Sequence, residues 1–445
     1  MLVLSISAPV WGEPAGYQPR VQHVEAPRAV QLPTLPPPVE VTSPSLTLQD
    51  AIQLAYRYQS NLAVARSQVQ QAAGRTDQVA AARNPKLSLS SGYIHQAINR
   101  NSFPAEFGAA FNPNGWTHQA TLSQLLFDFG HTRNLVRSAE EARKMAEAAL
   151  AEYQSDLVLD VKRSYYAILQ ADRLVLVQEN NIQNRRLAVQ EARARFAGGL
   201  GLPSDVTRAE TALATALFNL SQAQTDAAMR RLELNTNLGL DPRVRLTVRE
   251  ENETAPLFES PEHLFQLALD RRYELQRYRA AVESARAAVA AAQVQNAPSV
   301  GTSLAYQNRQ NPFQETLGIN LNIQFDVLDG GARNGKVRET EAALQQAEAE
   351  LQGVQQKVMS EVGQAYLQLR NAEQQIAAAQ AEESNASETL RLQEGRYRVG
   401  LGQFIDFADA QTATYTAQVN RVNAQTALDV ARATLAQAIG EPIPK

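Results

Sequence analysis

Cysteine is absent from all 445 residues. Its absence excludes disulfides, thiolate-bound zinc, a thiol nucleophile and the acylated N-terminal cysteine of a bacterial lipoprotein. Aromatic residues make up only 6% of the chain, and histidine occurs five times, at positions 23, 95, 118, 131 and 263, without a helical pair or metal spacing. Charge of either sign is not in excess: 42 basic residues meet 46 acidic ones, a net charge of -4, so no nucleic acid partner is expected. Long apolar runs are missing too. Ala287 to Ala292 is among the longest, far short of the roughly 18 to 20 residues a membrane-spanning helix needs. If the chain meets a bilayer, helices are not the means. No nucleophile, base and orienting group stand out as a set, so neither an enzyme nor a cofactor is expected.

Abundant Ala and Gln, with long stretches free of Gly and Pro, is the usage of long helices. The first residues, MLVLSISAPVWG, read as the apolar part and cleavage region of a secretory leader without its basic start. The segment Pro14 to Pro44 then carries eight of the chain's 20 prolines, a density that prevents helix and predicts disorder.

The rest of the chain is written twice. At an offset of 213, Gln53, Leu54 and Ala55 meet Gln266, Leu267 and Ala268; Leu62 meets Leu275, Pro85 meets Pro298 and Tyr93 meets Tyr306. At an offset of 201, Asp128 meets Asp329, Tyr165 meets Tyr366, Arg195 meets Arg396, Gly199 meets Gly400 and Gly239 meets Gly440. The 12 residues lost between the registers fall in AINRNSFPAEFGAAFNPNGW, which faces only QNRQNPFQE. Both are loop chemistry, where length changes cheaply.

Each copy reads helix, strand, loop, strand, helix, turn, helix. Thr47 with Asp50 resembles a capping box, Ser260 before Pro261 a cap with an N1 proline, and Pro85 and Pro298 close the first helices. Helices over about 131–197 and 332–398 would each measure ~100 Å, and flanking helices over about 47–83 and 204–237 would be ~55 and ~50 Å. Two short helices thus match one long one, giving four columns of equal height with the strands at one end. Along the first long helix, Leu135, Ala139, Ala142, Ala146, Ala149, Tyr153, Leu157, Val161, Tyr165 and Ile168 form an apolar stripe, and Ile182, Val189 and Phe196 follow at heptad spacing.

The strands have two faces. Leu317, Ile319, Leu321, Ile323 and Phe325 alternate with Gly318, Asn320, Asn322, Gln324 and Asp326. Val300, Thr302, Leu304 and Tyr306 alternate with small or polar residues, as do Leu87 and Leu89 and, in the strand beginning at Trp116, Ala120 and Leu122. A half-buried sheet also alternates, but each strand here runs straight into a helix whose far end lies ~100 Å away, leaving no cover. Strands of about ten residues suit a tilted membrane span. Lipid would face Leu317, Ile319, Leu321, Ile323, Phe325 and Trp116, and water would face Asn320, Asn322 and Gln324. Tyr93, Trp116, Tyr306 and Phe313 suit an interfacial girdle. Four strands cannot close a barrel, and open edges are not tolerated in hydrocarbon. Several copies are therefore required: two would give eight strands and a filled lumen, three would give 12 and room for water.

The passages ARNPKLSLSSGY and QNAPSVGTSLAY, the strand-to-helix turns LFDFG and VLDGG, the tips RFAGGLGLPSDV and RYRVGLGQFIDF, and the ordered repeat together resemble the TolC-type outer membrane efflux proteins over about residues 46–440. The resemblance implies a mainly α protein with a membrane β-barrel: a homotrimer whose 12-stranded barrel continues into a long periplasmic α-helical tunnel. It implies an exit duct in the bacterial outer membrane for tripartite efflux or type I secretion, fed by a periplasmic adaptor and an inner-membrane transporter. The corresponding organisation is 1–45 as leader remnant and proline-rich segment; 46–239 as first repeat, with strands about 86–94 and 116–127; 240–260 as connector; and 261–445 as second repeat, with strands about 299–307 and 316–328.

Gly199, Gly201, Gly400 and Gly402 mark the two hairpin tips. Beyond the second, Asp406 and Asp409 are three apart and share a helix face. Matching acidic residues in the family ring the periplasmic entrance, so these two are expected to make it cation-selective; the plain alternative is a solvated helix start that favours acids. Tyr397 matches a family tyrosine that holds the closed tip, and Asp205 its partner's position. A Tyr397 to Asp205 gate bond is expected; the family's latch arginine falls on Gly402, so the lock is either weaker or uses Arg398 instead.

One motif misleads. In DGGARNGKV, Gly330, Gly335 and Lys336 have phosphate-loop spacing, but Val337 replaces the hydroxyl that would hold magnesium, and DFGHTRNLV in the first copy lacks the pattern. A tight turn explains the glycines. A soluble coiled-coil scaffold, or a helical surface adhesin, accommodates the helices but requires no strand with a lipid-compatible face in both copies. No Met-rich or His-rich stretch selects a cargo.

Overall fold

The computed structural model describes residues 45–95, 115–250, 260–310 and 313–442. The leader, the Pro14 to Pro44 segment, residues 96–114 of the long loop and 251–259 of the connector lie outside the described residues.

The first half holds α1 (Leu48–Tyr58), α2 (Ser60–Ala80), β1 (Lys86–Ile94), β2 (Gly115–Phe127), α3 (His131–Ala197) and α4 (Pro203–Leu238). The second holds α5 (Pro261–Arg271), α6 (Tyr273–Gln293), β3 (Ser299–Gln310), β4 (Phe313–Gln324), α7 (Ala332–Arg398) and α8 (Phe404–Ala438). Both long helices run over the expected 67 residues. Where they begin, the carboxylate of Asp128 accepts from the Gly130 and Thr132 amides at 3.1 and 2.7 Å, and that of Asp329 from Gly331 and Arg333 at 2.9 and 2.8 Å. Each carboxylate satisfies amides that a helix start otherwise leaves open.

The expected single helix over 47–83 is instead two. Gln59, at φ -67° and ψ 114°, breaks it, and Arg272, 213 residues later, breaks its counterpart at φ -64° and ψ 125°. Neither break carries Gly or Pro. The cause is tertiary: Gly239, at φ 73°, ends α4 against the first break, where an added Cβ would lie 2.5 Å from the Tyr58 carbonyl oxygen. Gly440 sits likewise against Arg271 and Arg272. The capping box at Thr47 forms with both its bonds. Ser260 does hold the N-cap position, but its hydroxyl donates to Glu262 at 2.8 Å rather than capping the backbone.

The four strands form one antiparallel sheet in the order β1-β2-β3-β4. Lys86 pairs with Ser123 and Ser299 with Gln324, the same register once the two sequence offsets are applied. QNRQNPFQE, expected as loop, is mostly strand: β3 runs to Gln310, which pairs with Phe313 at the start of β4. At the other end β4 stops at Gln324, so Phe325 follows the strand instead of lying in it.

Each long helix packs on the three short helices of its own half, and α3 also packs on α6 and α8. The apolar stripe of α3 is buried at Leu157, Val161, Tyr165 and Ile168. Nearer its start Val136 and Ala148 are buried instead of Leu135, and Phe196 at its end is 47% exposed. The second half has a matching core around Leu264, Leu275, Val358, Val362 and Leu435. No helix of the described residues is long and apolar enough to cross a membrane.

Candidate functional site: the sheet faces and the hairpin tips

The register aligns like with like across the sheet. Leu87, Leu122, Leu304 and Ile319 stand in one row, and Leu89, Ala120, Tyr306 and Leu317 in the next. Between these rows, on the opposite face, Ser88, Thr121, Ala305 and Gly318 are aligned. Asn320 pairs with Ser303, Asn322 with Gly301 and Gln324 with Ser299 on that same small, polar face.

Neither face is covered by another element among the described residues. Leu89 is 77% exposed and Ile319 79%, and Leu317, Leu321, Ile323, Phe325 and Trp116 are exposed as well. Burying one such aliphatic side chain is worth about 1.5–3 kcal/mol. Leaving seven or more of them in water therefore forgoes an amount comparable to a domain's whole net stability of about 5–15 kcal/mol. Past the apolar rows comes a polar one, Ser91, His118, Asn308 and Glu315. Its members satisfy each other: Ser91 lies 2.9 Å from the His118 ring, and Asn308 donates to Glu315 at 3.1 Å. The outermost row has Tyr93 edge-on to Trp116, ring centres 5.5 Å apart, with Phe313 at the far edge.

At the other end of the helices, both hairpin tips are built alike. Gly199 and Gly400 take left-handed φ values of 71° and 80°. The amides of Leu200 and Leu401 reach back to the Arg195 and Arg396 carbonyls at 2.8 and 2.9 Å, a helix end that favours Gly. Gly201 and Gly402 serve another purpose: a Cβ on either would lie 3.1 Å from the backbone nitrogen of Phe196 or Tyr397.

Tyr397 is buried in a cluster with Phe404 and Phe407, stacked on the latter at 5.5 Å. The Arg195 guanidinium lies over its ring, and this residue was not anticipated. The only trace in the sequence was its recurrence as Arg396 one repeat later. Among the described residues the Tyr397 hydroxyl has no hydrogen-bond partner, so the expected bond to Asp205 is not made within the chain. Burial pushes that hydroxyl's pKa up, Arg195 pulls it down, and Asp205 and Glu191 push it up further. Arg398 pairs with Glu394 on its own helix and reaches Glu191 of α3 at 3.8 Å. Burial raises the Glu191 pKa against the pull of Arg398.

Asp406 and Asp409 lie together on the exposed face of the first turns of α8, opposite buried Phe404, Phe407 and Ala410. Neither is ion-paired among the described residues. A cavity of about 400 Å³ beside the α5–α6 break is lined by charge, but the groups are spent on one another. Lys357 meets Glu274 at 3.0 Å and Arg277 meets Glu152 at 2.9 Å. The phosphate-loop look-alike is a turn: Gly330 and Gly331 have φ 65° and 92°, and Asp329's own carboxylate occupies the helix start a phosphate would need.

A family model described as outer membrane efflux protein matches residues 51–240 and 264–441. "Outer membrane efflux protein BepC" of Brucella suis is 25% identical over 325 residues, covering 72% of this chain and 71% of that protein. "Protein CyaE" of Bordetella pertussis is 27% identical over 424 residues, covering 91% and 86%. Among solved structures, the outer-membrane channel OprN superposes with a TM-score of 0.76 at 20% identity, over 89% of this chain and 90% of that one. That last likeness is one of fold.

Proposed function

The chain belongs to the outer membrane efflux protein family, and from that premise we propose that three copies join their sheets into one 12-stranded barrel continued by a periplasmic α-helical tunnel. The protein is an outer membrane exit duct of efflux or secretion systems, with a large helical portion in the periplasm. Its family is one of ducts, not enzymes.

One observation supports the barrel above others: the apolar rows are continuous across all four strands and uncovered, while the rows between them on the opposite face are small or polar. Lipid outside and water inside satisfy both faces. A soluble scaffold would need a second layer over the apolar rows, and none exists among the described residues. Open edges at β1 and β4 demand further copies, and three is the smallest number that leaves a water-filled lumen.

In this reading residues 46–239 and 261–445 are two repeats joined by 240–260. Leu317, Ile319, Leu321, Ile323 and Trp116 face lipid, joined by Phe325 just past β4; Asn320, Asn322 and Gln324 line the lumen. The tips close the periplasmic end, with Tyr397, Asp205 and Arg398 as gate contacts and the glycines shaping the turns. Asp406 and Asp409 from three chains make a ring of six carboxylates that draws cations. A periplasmic adaptor and an inner-membrane transporter deliver the cargo.

Cell fractionation followed by electron microscopy tests this. The expected particle leaves the outer membrane only with detergent, contains three copies and has a continuous bore. A particle soluble without detergent, or one without a bore, overturns the reading.

A further inference from the structure

Two arginines are buried among the described residues, and their surroundings differ. Arg272, 9% exposed, meets the carboxylates of both Glu274 and Glu361. Arg185, 7% exposed, has no carboxylate against it among the described residues. Its Nη1 donates to the Gln411 side-chain oxygen at 3.1 Å and its Nη2 to the Thr412 hydroxyl at 2.9 Å, both neutral acceptors on α8. A guanidinium carries five N–H donors and keeps its charge in proteins, so the remaining donors and the whole charge lack a protein partner there. A buried ion left uncompensated is costly, and arginine is seldom buried unless paired. Burial alone acts on its pKa, lowering it, with no carboxylate to oppose the shift.

The repeated helical wall does not demand this cation. The counterpart of Arg185, 201 residues later, is Ala386, so a long helix packs at the same level without a charge. Arg185 instead lines a cavity of about 150 Å³ shared by α3, α4 and α8. Alanines from all three helices leave the room, and only two other charged residues line it, Arg208 and Asp409. Both are exposed, and neither has an ion pair among the described residues. Two cations thus face one carboxylate. Phe404 and Ile405, the first two residues of α8, also line the cavity, and α8 begins without a side-chain cap. The open amides of that first turn add positive potential.

We propose that this cavity is a binding site for a small inorganic oxyanion such as phosphate, held by buried Arg185 and by Arg208 at the rim, with Asp409 limiting its affinity.

Size and chemistry select the ligand class. The cavity is smaller than the roughly 300–1,000 Å³ of pockets that take drug-sized molecules, so a nucleotide or a peptide segment does not fit, whereas one tetrahedral oxyanion does. Its oxygens accept from several N–H groups at once, and the planar fork of arginine suits that geometry. A lipid headgroup is not at hand, because the sheet lies at the other end of the helices. The bound ion joins three helices at the cluster that also holds Tyr397, to which Ala188, Ala209 and Phe404 belong. The site is independent of whether the sheets close into a barrel.

Calorimetric titration of the detergent-purified full chain with phosphate, against chloride at equal ionic strength, tests this. Saturable binding of one phosphate per chain is expected, with the thermal unfolding temperature rising as the sites fill. Arg185→Gln is expected to weaken binding about tenfold or more, the worth of a charged hydrogen bond. Arg208→Gln, at an exposed position, should weaken it less, and Asp409→Asn should tighten it. In crystals, the anomalous signal of selenate should place the ion within hydrogen-bond distance of the Arg185 guanidinium. Absence of saturable binding, or binding that neither arginine variant alters, overturns the proposal. So does a carboxylate of another copy seated against Arg185 in the assembled protein. If Arg185→Gln does not fold, the opposite shifts expected of Arg208→Gln and Asp409→Asn carry the test, and no change in either overturns it.

Discussion

The Arg195 guanidinium stands 4.6 Å from the centre of the Tyr397 ring and donates to the Tyr397 carbonyl at 2.7 Å. It ties the two hairpin tips of one chain together. A cation over an aromatic face contributes about 0.5–2 kcal/mol and a charged hydrogen bond about 1.5–3. Arg195→Ala therefore removes a bond worth roughly tenfold or more in a two-state equilibrium. Single-channel recording is expected to show a correspondingly larger open fraction, with Arg195→Lys between the two.

Tyr397 contributes through its ring. Its hydroxyl bonds nothing among the described residues, whereas its ring packs on Phe404 and Phe407. Tyr397→Ala should lower tip stability by about 3–5 kcal/mol, the usual cost of deleting a buried aromatic ring, and raise proteolysis at the tip. Tyr397→Phe should leave proteolysis unchanged. If Tyr397→Phe and Asp205→Asn each open the channel as strongly as Arg195→Ala, then a Tyr397 to Asp205 bond forms in the assembly after all.

Asp406 and Asp409 are exposed at the start of α8 and have no ion pair among the described residues; in the proposed trimer they ring the entrance. Asp406→Asn with Asp409→Asn should abolish cation preference, moving the reversal potential in a salt gradient to near zero. Each single change should move it part of the way. Unchanged selectivity in the double variant would reduce these residues to an ordinary acidic helix start.

Gly239 holds the joint between α4 and the α1–α2 break. Gly239→Ala forces a Cβ to within 2.5 Å of a backbone oxygen at a left-handed φ, so the backbone must move. Thermal unfolding should show a clear loss of stability. Gly199→Ala, also left-handed but with open space around it, should cost only the conformational penalty of about 1–2 kcal/mol.

These same joints show what the sequence conceals. The long helices were legible to the residue because Gly130, Gly198, Gly331 and Gly400 bracket stretches without helix-ending turns, and alternation at Leu317 to Ile323 identified strand β4. The breaks at Gln59 and Arg272 were illegible: both residues are acceptable in helices, and the kink is imposed from outside by Gly239 and Gly440. The end of β4 was misplaced for a related reason, since alternation continues to Phe325 but a free edge has no ladder to hold it. Arg195 escaped notice because nothing in its own surroundings signals that Tyr397, 202 residues away, supplies its partner.

In the proposed barrel the sheet has lipid on one side and water on the other. Spin labels placed singly at positions 317 to 324 in reconstituted vesicles measure this directly, through relaxation by lipid-soluble oxygen and by a water-soluble nickel complex. The account predicts strict alternation, with oxygen reaching Leu317, Ile319, Leu321 and Ile323 and nickel reaching Asn320, Asn322 and Gln324. Equal access to nickel at both sets, or protection of the apolar set from oxygen, would contradict it.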